Sequence, residues 1–103
     1  MLRVTRQIKY FSFWDVPRTF VFERDDRLYM LTSEFDEEID DYPDKYEVFV
    51  LSGIEHLSAV SDWKSIEPLT KTFLGKVPVS SVLFDGSRRR HVDDSFLRAI
   101  IAV

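Results

Sequence analysis

Thr19-Phe20-Val21-Phe22-Glu23-Arg24, then Asp25-Asp26, then Arg27-Leu28-Tyr29-Met30-Leu31-Thr32 is the stretch that decides the fold. Two runs rich in aromatic and apolar residues flank a short polar link, the pattern of a β-hairpin. Asp-Asp is a weaker turn former than Asn-Gly, because a two-residue hairpin turn needs positive φ at both central positions. A slightly longer loop using Arg24 or Arg27 is the alternative.

Outward from this hairpin, the chain continues to read as β-structure. Upstream, Ile8-Lys9-Tyr10-Phe11-Ser12-Phe13-Trp14 is apolar on both alternating faces, which suits an interior strand. Asp15-Val16-Pro17 ends it, since proline lacks the N–H a central ladder uses. Downstream, Lys45-Tyr46-Glu47-Val48-Phe49-Val50-Leu51 is the clearest strand, and its unbroken apolar centre predicts a central position. Leu69 to Gly75 and Val77 to Phe84 read as extended pieces, with Pro78 placing the second at an edge. Between them, Ser52-Gly53-Ile54-Glu55 has capping-box spacing, and Asp62-Trp63-Lys64-Ser65-Ile66 suits one helical turn before Pro68.

The chain's end reads differently. Asp93, Asp94 and Ser95 are N-cap candidates for a terminal helix from Phe96 to Ala102, with Phe96, Leu97, Ile100 and Ile101 on one face. Strands first and helix last predict an α+β fold: a single antiparallel β-sheet of about five strands with a C-terminal helix packed on one face. At 103 residues, one domain over 1–103 is expected. Nine Phe, four Tyr and two Trp supply its core.

Charge is unevenly spread. Residues 1–33 carry six cations and four acids, residues 64–103 seven cations and four acids, and residues 34–63 one cation and ten acids. The acids concentrate in Glu34-Phe35-Asp36-Glu37-Glu38-Ile39-Asp40-Asp41-Tyr42-Pro43-Asp44-Lys45-Tyr46-Glu47, with Tyr42-Pro43-Asp44 as the expected turn. Phe35, Asp36, Glu37, Glu38, Asp40, Asp41, Tyr42 and Asp44 are therefore the candidate partner-binding residues. Trp14, expected at the rim of its strand, is grouped with them. Carboxylates set around aromatic anchors suit a basic protein partner, as in an inhibitor of a basic enzyme. The plain alternative is a solvated loop that keeps the protein soluble and discourages edge pairing.

Asp36, Glu38, Asp40, Tyr42, Asp44 and Glu47 also fall at the ligand positions of a calcium loop. Asp41 stands where that loop needs glycine, Pro43 removes an N–H, and the flanks are strands rather than helices. No metal site is assigned there, and calcium or small-ligand binding stays an alternative.

Arg88-Arg89-Arg90 is the candidate anion-binding cluster, since guanidinium groups grip phosphate well. The chain as a whole is acidic, with a net charge of −4, so nucleic acid is not an expected partner. The two histidines, His56 and His91, accompany no nucleophile elbow, P-loop, dinucleotide fingerprint or His-Glu-x-x-His. No enzymatic activity and no cofactor are expected. Cysteine is absent, which removes disulfides and thiolate chemistry and suits a cytoplasmic setting. No secretory signal and no apolar run long enough to span a bilayer is visible. Self-association through an apolar strand face, giving a homodimer with a structural or regulatory role, is the competing reading.

Overall fold

A computed structural model of the chain describes residues 6–53, 56–84 and 91–100. They form one seven-stranded antiparallel sheet: β1 (Arg6–Phe13), β2 (Pro17–Arg24), β3 (Arg27–Thr32), β4 (Lys45–Ser52), β5 (Thr70–Pro78), β6 (Leu83–Phe84) and β7 (His91–Asp93). Its spatial order is β5-β4-β3-β2-β1-β7-β6. One short helix, α1 (Trp63–Ile66), and single 3-10 turns complete it. No helix among the described residues is long and apolar enough to cross a membrane.

The hairpin closes as its sequence requires. Arg24 pairs with Arg27 across Asp25 and Asp26, whose φ angles are 53° and 59°. Both turn residues are left-handed, a conformation that Asp tolerates better than most.

The sheet curls into a half-barrel. Phe20 on β2 and Phe84 on β6 are three strands apart, about 14 Å in a flat sheet. Their rings nevertheless meet edge to face at 5.4 Å. The inner core includes Phe20, Phe22, Tyr29, Leu31, Tyr46 and Val48, packed against Val82, Val92, Phe96 and Leu97 from the end of the chain. Tyr46 donates its hydroxyl to the Pro17 carbonyl at 2.6 Å and sets its ring edge-on to Phe20 at 5.5 Å.

The opposite face is covered too. Val21, Leu28, Met30 and Leu51 pack against Leu57, Val60 and Ile66 of the segment that crosses from β4 to β5. Burial on both sides is why Phe20-Val21-Phe22 and Leu28-Tyr29-Met30-Leu31 are unbroken apolar runs rather than alternating ones. In the crossing segment, Asp62 caps α1 by accepting from the Ser65 N–H at 3.1 Å, and the Ser65 side chain accepts from the Asp62 N–H at 3.1 Å.

The α+β expectation is therefore corrected. The described residues hold seven strands rather than about five and no C-terminal helix packed on the sheet, and Ile101 and Ala102 of the expected helix lie outside them. Asp93 does act as a cap, accepting from the Ser95 N–H at 3.1 Å, but the element it caps, Asp94–Ala99, is a 3-10 helix. Asp94 is the reason. Its buried carboxylate is held by Arg6 at 3.0 Å and Arg24 at 3.3 Å, anchoring the first turn to β1 and β2. Phe96 and Leu97 enter the core directly behind it. The two pieces expected around Pro78 also differ: β5 runs through to Pro78 as an edge strand, and β6 is only Leu83–Phe84.

Candidate functional site

Arg18 organises one end of the sheet. It lies on β2, and its side chain is only 8% exposed. The guanidinium donates to both carboxylate oxygens of Asp15, at 2.7 and 2.9 Å from Nη2. Nη1 reaches Ser33 Oγ and the Pro43 carbonyl, each at 3.3 Å. Its central carbon lies 4.7 Å from the centre of the Tyr42 ring, a cation–π contact. One cation thus joins the β1–β2 connection to the long β3–β4 loop.

Burial alone would raise the Asp15 carboxyl. The Arg18 hydrogen bond, Asp15's own backbone, the Arg18 charge and the Val16 N–H outweigh it and hold the group below its ordinary value.

The acidic loop folds on its own backbone. Asp36 and Asp41 exchange N–H···O bonds at 2.9 and 3.3 Å. Asp36 Oδ1 accepts from the Glu38 N–H at 2.9 Å, and Asp41 Oδ1 from the Tyr42 N–H at 2.7 Å. The turn therefore lies at 37–40, with Asp40 left-handed at φ 53°, rather than at Tyr42-Pro43-Asp44 as the proline suggested. Glu34 is tied back to the sheet by Ser12 and Thr19. Ser33 Oγ donates to the Pro43 carbonyl at 2.8 Å and closes the loop's base.

This arrangement brings Trp14, Phe35 and Tyr42 together. Trp14 stacks on Tyr42 at 6.4 Å with 19° between the ring planes. Phe35 meets the same ring edge-on at 5.5 Å. Trp14 is 69% exposed, Ile39 57% and Phe35 47%. Glu37, Glu38, Asp40, Asp41 and Asp44 are exposed around them, and Asp36 is half-buried at the bridge. Beside Phe35 is a concavity of about 500 Å³, whose walls include Glu34, Asp36, Glu37, Asp44 and Glu47 with Lys45 and Lys76. Five carboxylates against two ammonium groups leave it anionic.

The loop's carboxylates do not assemble a calcium cage. Among the described residues, no three of them converge on one point. The Asp36 and Asp41 carboxylates instead accept from the loop's own backbone, at the Glu38 and Tyr42 N–H groups. The candidate anion-binding residues Arg88, Arg89 and Arg90 lie outside the described residues, as does Glu55 of the expected capping box.

Sequence spacing gives no sign of two features. One is the buried Arg18, since Pro17-Arg18-Thr19 reads as the polar start of a strand. The other is a meeting of Glu23, Asp26 and His56, whose possible ligand atoms all lie within 4.8 Å of one another. That group is five residues along β2 from Arg18, about 17 Å away. No protein-family model, curated protein or solved structure matches the chain, so the surface itself is what speaks to function.

Proposed function

We propose that the chain is a non-enzymatic protein-interaction module, working in the cytoplasm, that docks a basic protein through the Trp14–Tyr42–Phe35 row and the carboxylates around it. The observation that carries this reading is the stacking of exposed Trp14, from the β1–β2 connection, on Tyr42 inside the acidic segment. Interfaces concentrate their binding energy in aromatic anchors surrounded by polar groups. Here a contiguous aromatic row has an anionic concavity beside it that suits a partner's Lys or Arg side chain. An inhibitor that holds a basic enzyme inactive would use such a surface.

The test is capture of partners at low and moderate salt, with Trp14→Ala, and with Asp36, Glu37, Asp40 and Asp41 all replaced by lysine. A basic protein held by the wild type, lost by the charge reversal and weakened by Trp14→Ala supports the reading. It fails if all three baits retain the same proteins at both salt concentrations.

The second reading is a homodimer. Both faces of the sheet are covered, so it would use the β5 edge, where Phe73 is 52% exposed. Sedimentation velocity over a hundredfold concentration range, about 2.7 kcal/mol of mass action, separates the two. A constant monomer removes the dimer.

A further inference from the structure

We infer that Glu23, Asp26 and His56 form a binding site for a divalent transition metal of the zinc type. The three come from different elements. Glu23 is near the end of β2, Asp26 is in the β2–β3 turn, and His56 stands at the start of the 3-10 turn Leu57–Ala59. Their candidate ligand atoms lie within 4.8 Å of one another.

The His56–Glu23 separation is one that a shared metal would accommodate. Nδ1 of His56 lies 3.4 Å from Oε2 of Glu23. Protein N–H···O bonds run at about 2.7–3.2 Å, so this one is long. Two ligands on a tetrahedral zinc, each about 2.1 Å from the metal, stand about 3.4 Å apart. Asp26 is exposed, and a change of side-chain torsion brings its oxygen the remaining distance.

Glu23 is also preoriented. Its Oε1 accepts the Leu57 N–H at 2.9 Å, which fixes the carboxylate plane and leaves Oε2 facing the imidazole. Metal ligands are commonly aimed by such outer hydrogen bonds. That N–H is the chief reason the Glu23 carboxyl lies below its ordinary value, with His56 adding to it against the opposing effect of burial.

The donor set selects the metal. Calcium and magnesium prefer oxygen ligands alone, whereas one imidazole nitrogen and two carboxylates suit zinc and its neighbours. The two carboxylates match the charge of a divalent ion. Three protein donors leave a further position to water, as the exposure of Asp26 and His56 allows. A bound ion would pin the β2–β3 turn to the segment that covers the outer face of the sheet.

The experiment is calorimetric titration of tag-free, chelator-treated protein with zinc chloride, alongside calcium chloride. Thermal melts with and without zinc provide the second readout. One equivalent of zinc is expected to bind and raise Tm, with calcium far weaker. His56→Ala and Asp26→Asn are each expected to raise Kd at least about tenfold, a loss no smaller than that seen on removing outer-shell partners. Both side chains are exposed, so circular dichroism of these variants should match the wild type. His91→Ala is expected to leave Kd unchanged. No zinc binding by the wild type, or binding that survives His56→Ala and is lost in His91→Ala, overturns the assignment.

Discussion

Replacing Arg18 tests how the acidic surface is held to the sheet. Arg18→Ala removes two buried methylenes, worth about 1.6 kcal/mol by area burial. It also removes the stacking of the guanidinium on Tyr42, about 1 kcal/mol for a partly desolvated cation–π pair. The Asp15 pair adds at most about 1 kcal/mol, because the Asp15 side chain is 58% exposed and turns to water once released. The Pro43 carbonyl keeps its bond from Ser33, so its loss is small. Together these give about 3–4 kcal/mol, a large share of the roughly 5–15 kcal/mol of a typical domain.

Arg18→Lys keeps the stem and the charge but loses the planar fork, at about 1 kcal/mol, the net worth of a lost hydrogen bond. Urea unfolding of both variants is the assay, read as a change in midpoint at constant slope. A double-mutant cycle between Arg18→Ala and Tyr42→Ala should return a coupling of about 1 kcal/mol. A loss below about 1 kcal/mol in Arg18→Ala, or no coupling with Tyr42, refutes the idea that one buried cation ties these segments together.

Buried and charged groups give two more expected outcomes. Tyr46→Phe removes the hydroxyl that serves the buried Pro17 carbonyl and should cost about 1–3 kcal/mol in urea unfolding, with no change in secondary structure. Asp15 and Glu23 are both held below their ordinary values of 3.8 and 4.5. The folded state thus favours their ionised forms. Their contribution is complete above those values and is lost as pH falls through the lower folded ones. Tm should therefore decline below about pH 4.5, and Asp15→Asn and Glu23→Gln should each flatten that decline.

Much of the sheet was legible because it is built from local patterns. Phe20-Val21-Phe22 and Leu28-Tyr29-Met30-Leu31 are apolar at every position, and that periodicity survives into β2 and β3. The Asp62–Ile66 turn was legible through its cap, and Trp14 through its place at the end of an aromatic strand. What failed depends on distant contacts. β6 and β7 are two and three residues long, too short for any alternation to show. They are strands because β7 pairs with Arg6 and Gln7 of β1, about 85 residues earlier in a chain whose curl brings them together. The end of the chain departs from the expected helix for a related reason. Phe96, Leu97 and Ile100 satisfy a helical face and a single tight turn equally well. The choice between them falls to Asp94 and its two arginines on β1 and β2, which no local window contains.

The same distinction bears on the acidic segment. Read as sequence, eight carboxylates around one lysine suit a partner surface or a solvated loop. In the fold, the loop's base and its rim are electrostatically different. The base rests on Arg18, which spends its charge on Asp15, Tyr42 and the Pro43 carbonyl. The rim, from Glu37 to Asp41, has no cation of its own among the ion pairs of the described residues. A loop whose backbone is fixed by the Asp36–Asp41 bridge holds those charges in place before any partner arrives. The ordering entropy that a floppy acidic tail would lose on binding is thus largely absent. We propose that this acidic rim, on a frame held by the Asp36–Asp41 bridge and with an aromatic row set into it, serves docking rather than solubility alone. The same frame implies that charge reversal at Asp40 and Asp41 should slow association with a basic partner, whereas Trp14→Ala should speed dissociation. Stopped-flow and surface-binding kinetics distinguish the two, and equal effects on both rates from either change would count against this division of labour.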